Sequence, residues 1–245
     1  MTALILAVAL TATAPLTVRV LEAAKPTTLT LDAKSIQCGD AQVPAHATLE
    51  VGVREVRVGA LKCPVVIAEG PSTVTIGSVV RRFTGTLRVV IESGLLKIFN
   101  EIELEPYLAS VVGAVSPGDF KPAALEAQAI VSRTFAATAR RRHAAGGYDV
   151  CDTSHCQLYR GQESESPAAK AAVDQTAGQV LLVGGIALKS AFFHLACGGH
   201  TSRAADVLRE DGAGPGVSDL EPSGQPLCKD LPDFAWEWVD RKSVV

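Results

Sequence analysis

Residues 103–161, ELEPYLASVVGAVSPGDFKPAALEAQAIVSRTFAATARRRHAAGGYDVCDTSHCQLYRG, decide how this chain is read. They pass from a glutamate-flagged strand end into helical sequence and close on a loop carrying two cysteines and a histidine. Residues 107–113, after Glu105 and Pro106, predict a short helix. The main helix starts at Pro122, whose fixed φ suits a first helical turn. PAALEAQAIVSRTFAATARRRH extends it for about six turns at 3.6 residues each, until Gly146 and Gly147 stop it. Small residues occupy nearly all its faces, so it is expected to be enclosed by other elements. Gln128 and Arg133 then need partners, because an unpaired polar group inside a packed helix costs about 1–3 kcal/mol. Either both satisfy nearby backbone or they face the floor of a cleft. Arg140, Arg141, Arg142 and His143 fall where positive charge complements the helix dipole.

Upstream, residues 16–100 read as β structure. TLTL, ATLEVGV, PVVIA, STVTI, GTLRVVI and LLKIF are short, β-branched and separated by Gly, Pro or Asp, with a hairpin turning at Ser93 and Gly94. Downstream, SPAAKAAVDQTAG predicts a helix from Ser166 to a stop at Gly178. QVLLV and IALKSAFFHLAC follow as strands joined at Gly184 and Gly185, a Gly/Pro-rich loop spans 212–226, and WEWV reads as a last strand. Helices interleaved with hairpins after a β-rich start give an α+β class.

The chain has 245 residues, 47% of them hydrophobic, with a formal net charge of −3. That composition argues against disorder. It also provides no basic excess to neutralise phosphates, so no nucleic-acid partner is expected. Residues 3–14, ALILAVALTATA, resemble the apolar part of a secretory signal with cleavage after Ala12 or Ala14. No Lys or Arg precedes this run, and a first strand is the competing reading. Export to the cell wall or periplasm is the expectation. An even set of six cysteines agrees with an oxidising compartment. Cys38 with Cys63, and Cys197 with Cys228, are plausible pairs, although spacing alone does not decide connectivity.

Five ordered blocks, ELEPYLASVV, ALEAQAIVSRTFA, YDVCDTSHCQLYRG, FFHLACGGHTSRAADV and a Cys followed by WEW, resemble the SpoIID/LytB family, the stage II sporulation protein D or amidase-enhancer family. The resemblance covers about residues 80–240. It implies a SpoIID-like core of helices packed on antiparallel strands over 80–245, after a signal segment at 1–14 and a β-rich region at 15–79. It also implies a bacterial protein acting on peptidoglycan. Characterised members are lytic transglycosylases that cleave glycan strands stripped of stem peptides, and others enhance a cell-wall amidase.

This chain departs from the family pattern where that pattern carries the chemistry. With Tyr107, Leu108, Val111, Val112, Pro117 and Phe120 in register, the family's catalytic Glu falls on Val115 and its Met on Ser116. Glycosidic cleavage needs a proton delivered to the leaving oxygen, and valine has none to give. Asp119, four residues on, is the candidate substitute acid. Leu195 and Ala196 replace hydroxyl residues between His194 and Cys197, and the chain ends soon after WEW, where relatives continue. The expectation is therefore a domain that binds peptidoglycan glycan strands with weak or no cleavage. An active lytic transglycosylase using Asp119 and an enhancer of a wall amidase are the rivals. Gln128, Arg133, Gln157, Tyr159, His194, Gly198 and Gly199 are the candidate sugar contacts, although Tyr159 reads equally well as a packed aromatic with its hydroxyl tied.

The remaining motif is His143, Cys151, His155 and Cys156. Thiolate and imidazole are zinc's preferred ligands, and four such groups make a closed tetrahedral site. The resemblance supports zinc, since some members carry it on a loop of this type. A Cys151–Cys156 disulfide, favoured in an exported protein, or free thiols are the alternatives.

Overall fold

The computed structural model describes residues 4–7, 14–116, 120–183, 185–187, 191–193, 200 and 224–225. The chain divides into two compact units, Met1–Ala187 and Leu188–Val245. In the second, Ala191 is buried while Phe192 and Phe193 are partly exposed.

The first unit is α+β. Its strands are β1 (Leu4–Ala7), β2 (Leu16–Val20), β3 (Thr28–Cys38), β4 (Ala41–Val43), β5 (His46–Val51), β6 (Val56–Val58), β7 (Leu61–Cys63), β8 (Val65–Ile76), β9 (Val79–Phe83), β10 (Thr86–Glu92) and β11 (Leu95–Ile102). Helix α1 (Leu104–Val115) and helix α2 (Pro122–Thr138) follow, then β12 (Val150–Cys151), helix α3 (Pro167–Gln175), β13 (Gln179–Val183) and β14 (Ile186–Ala187). An 11-stranded sheet runs β12-β2-β11-β10-β8-β3-β5-β6-β7, with β4 beside β3 and β9 beside β8. Its pairings are antiparallel except β12 on β2.

Alternation builds this sheet. In β2, Leu16, Val18 and Val20 are buried while Thr17 and Arg19 turn outward, the period-2 pattern of a half-covered strand. The domain boundary expected at residue 79 falls within this sheet, where β8 pairs with β9 and also with β10. Cys38 and Cys63 form a disulfide with their Cα atoms 5.4 Å apart.

A separate three-stranded sheet is ordered β1-β13-β14, with Leu4 opposite Leu182 and Ala7 opposite Gln179. Within the apolar run 3–14, Leu4–Ala7 form a strand paired with β13. Among the described residues, no helix is long and apolar enough to cross a membrane.

The helices differ from expectation at their ends. Helix α1 is longer than the expected 107–113 because Leu104, Tyr107, Leu108, Val111 and Val112 recur at helical spacing and all bury. Burying each such side chain contributes about 1.5–3 kcal/mol. Helix α2 stops at Thr138, one turn short of the expected His143. The chain instead turns left-handed at Arg141, with φ of 64°, and the Asp149 carboxylate accepts the Arg141 amide at 2.8 Å. The arginine run therefore lies beyond the helix. Arg140 donates to the Pro15 carbonyl, and Arg142 lies over the Phe135 ring. Ser166 caps α3, its hydroxyl accepting from the Ala169 amide at 3.1 Å.

Two glycines set how closely these elements approach. A Cβ on Gly113 of α1 would stand 1.8 Å from the Ser164 carbonyl oxygen. One on Gly161, where φ is +64°, would meet the Arg82 carbonyl at 2.2 Å.

Candidate metal centre and the α1–α2 region

The ligating atoms of His143, Cys151, His155 and Cys156 lie within 4.8 Å of one another. Three elements bring them there. Strand β12 sets Cys151 opposite Arg19 of β2. The chain after it bends back, with the Cys156 amide donating to the Thr153 carbonyl at 3.1 Å. His143 arrives from the turn after α2, bridged to Tyr148, whose ring it stacks on at 4.6 Å. Tyr148 leans in turn against Phe99 of β11.

Two aspartates flanking β12 brace the loop. Asp149 accepts from the amides of Thr17 and Arg141, and Asp152 accepts from the Leu21 amide at 2.6 Å. Burial pushes the Asp152 carboxyl up to about 6, against that amide hydrogen bond, and its Oδ1 has no hydrogen-bond partner. Neither aspartate, nor Tyr148, stood out in the sequence reading. The available signal was the DVCD spacing, which puts a carboxylate on either side of a two-residue strand.

Three of the six donor separations lie near the edges expected around a tetrahedral ion, within a set that spans no more than 4.8 Å. His143 Nε2 is 3.2 Å from Cys156 Sγ, and His155 Nδ1 is 3.5 Å from Cys156 Sγ and 3.7 Å from Cys151 Sγ. Zinc bonds to sulfur and nitrogen imply ligand–ligand edges of about 3.3–3.8 Å in a tetrahedron. Both cysteines are free. Their shared hydrogen bond pulls the Cys151 thiol down and pushes the Cys156 thiol up. Thr153 and His155 also favour the Cys151 thiolate. Burial lowers the His143 pKa, keeping the ring neutral as a metal ligand must be.

Among the described residues, three of the candidate sugar contacts lie in the interior. Arg133 is fully buried; it makes two bonds to Glu105 and donates to Thr176 and to the carbonyls of Val173 and Gln179. Gln157, 1% exposed, accepts from the Tyr107 hydroxyl and donates to the Ser132 carbonyl. Tyr159, 3% exposed, donates to Asn100 and packs on Tyr107 at 5.0 Å, the packed-aromatic reading. In this fold a sugar does not reach these three. Gln128 is half-buried and donates to Ser132 Oγ at 3.0 Å.

Val115 ends α1, half-buried, and Ser116 caps the helix by donating to the Val112 carbonyl. Phe120 lies 45% exposed just before α2. Asp119, His194, Gly198, Gly199 and the pair Cys197 and Cys228 lie outside the described residues.

Residues 92–182, which contain all three helices and the Cys/His loop, match the family model of SpoIID, the stage II sporulation protein. The match supports a SpoIID family assignment for this segment. The assignment points to a function connected with the bacterial cell wall. An uncharacterized protein of Brachyspira hyodysenteriae is similar at 29% identity over 127 residues, 51% of this chain and 34% of that protein. The chain thus spans about a third of that relative's length.

Proposed function

We propose that this SpoIID domain binds peptidoglycan glycan strands with little or no cleavage, and that His143, Cys151, His155 and Cys156 hold a zinc ion that braces its loop. The observation that carries the first half is Val115 at the end of α1, where the sequence resemblance places the family's catalytic Glu. Glu105, an acid at the other end of α1, is committed to Arg133 through two hydrogen bonds. A general acid contributes about 10²–10⁴-fold to such a reaction, so its loss favours holding over cutting. The donor spacing of the four ligands supports zinc, whose part would be structural: with all four positions taken by protein, none is left for substrate. The Cys38–Cys63 disulfide favours an extracytoplasmic setting.

The test incubates purified protein with glycan strands stripped of stem peptides. Cosedimentation without new anhydro-sugar ends supports the reading. Anhydro ends that vanish in Asp119→Asn would overturn it in favour of a transglycosylase. Weak binding combined with a faster partner amidase would favour an enhancer.

A further inference from the structure

We propose that the cavity between the end of β2, the turn at Glu22–Ala24 and the start of β11 binds a small anionic group, a carboxylate or a phosphate. This stands apart from the glycan reading and can fail or survive without it. The cavity has a volume of about 90 Å³, room for a small group only, with Arg19, Glu22, Lys25, Pro26, Leu96 and Lys97 in its wall.

Register explains why the cations converge. Phe99 pairs with Arg19, so Lys97, two residues earlier on β11, projects from the same face of the sheet as Arg19. The chain leaves β2, turns over Glu22–Ala24 and returns to β11 at Pro26, whose carbonyl accepts the Leu96 amide at 2.8 Å. That return brings Lys25 to the cavity.

Charge is left over. Glu22 is paired with Arg19 at 3.1 Å, and Arg19 is further held over the Tyr148 ring. Lys25 and Lys97 have no ion-pair partner among the described residues. Three cations against one carboxylate leave two positive charges in excess around a concave space, which concentrates anions.

The backbone gives a second, independent sign. Leu21 and Lys25, at the two ends of the turn, adopt left-handed φ values of 56° and 44°. Leucine and lysine rarely do so, and such conformations cluster at ligand clamps. The Leu21 amide is tied to Asp152, so the cavity rim is joined to the Cys/His loop.

The test titrates full-length, isotopically labelled protein with inorganic phosphate, with N-acetylmuramic acid, and with N-acetylglucosamine, which has a similar ring without the carboxylate. Signals of Lys25, Lys97 and Leu96 are expected to shift with an anion and stay still with N-acetylglucosamine. Response to phosphate or to muramic acid identifies which source of charge fits. Lys25→Gln with Lys97→Gln, both solvent-accessible positions, should weaken binding at least tenfold and leave the circular dichroism unchanged. No shift by about 10 mM ligand, beyond the range of weak specific binding, or equal affinity in the double variant, would overturn the proposal. Cosedimentation of the same variant with glycan strands separates the two ideas. Loss of anion binding with strand binding kept upholds the pocket as a distinct site, while strand binding without any anion response sinks the pocket and spares the glycan reading.

Discussion

The Arg133 guanidinium, wholly buried in α2, makes two parallel hydrogen bonds of 2.9 and 2.7 Å to the Glu105 carboxylate in the first turn of α1. This fork-to-fork pair joins two helices across 28 residues of sequence. Glu105→Gln leaves a buried cation without its counter-charge. Because the Glu105 side chain is 37% exposed, the expected cost is about 3 kcal/mol, the low end for a broken buried pair. Urea unfolding checks this, and Arg133→Met in the same chain should recover part of the loss.

Val115→Glu restores a carboxyl group to the end of α1. Chain scission of stripped glycan is expected to rise about 10²-fold or more over the parent protein, measured as anhydro ends per hour. A parent protein already as fast as the variant would contradict the holding role.

Removal of the proposed zinc should loosen the loop. Chelation, or Cys151→Ser, is expected to abolish one equivalent of zinc by elemental analysis and to lower Tm. At a free metal concentration of a hundred times Kd the stabilisation at stake is about 2.7 kcal/mol. Full stoichiometry in Cys151→Ser would contradict the ligand assignment.

Asp152 makes a prediction about pH for the metal-free protein. Its folded carboxyl is pushed up to about 6 by burial, above the usual value of 3.8, so the folded state holds its proton more tightly than the unfolded state. Below pH ~4 both states are protonated and nothing is lost. As pH rises through the window to about 6, ionising the buried group destabilises the fold by roughly 1–3 kcal/mol. Asp152→Asn should flatten that segment of the stability–pH curve in chelator-treated protein.

The Cys38–Cys63 disulfide closes a loop with a sequence separation of 25. Replacing both cysteines by alanine is expected to cost about 3.5 kcal/mol in the chain-entropy account. Equilibrium unfolding reads this out, and an unchanged midpoint would contradict it.

Much of the fold was legible because its determinants are local. The Ser93–Gly94 hairpin, the β-branched runs and the helical spacing of Leu104, Tyr107, Leu108, Val111 and Val112 need only neighbouring residues to be recognised. The end of α2 was not legible. Arg140, Arg141 and Arg142 are good helix formers by propensity, yet Asp149 captures the Arg141 amide from beyond the turn. The role of Gln157 was equally hidden: a polar tip beside a Cys/His loop read as a sugar contact until it is seen accepting from the Tyr107 hydroxyl inside, whereas the packed reading of Tyr159 was already open in the sequence.

The order of residues alone was enough for the α+β class, the SpoIID resemblance and the four candidate ligands, since these depend on residue type and spacing. Only the folded chain could bring His143 to Cys156, 13 residues away, at 3.2 Å, commit Arg133 to Glu105, and set Lys97 beside Arg19 and Lys25. Those outcomes depend on which strands pair and where the helices pack, and long-range pairing is decided by burial of whole faces rather than by any one segment's preference.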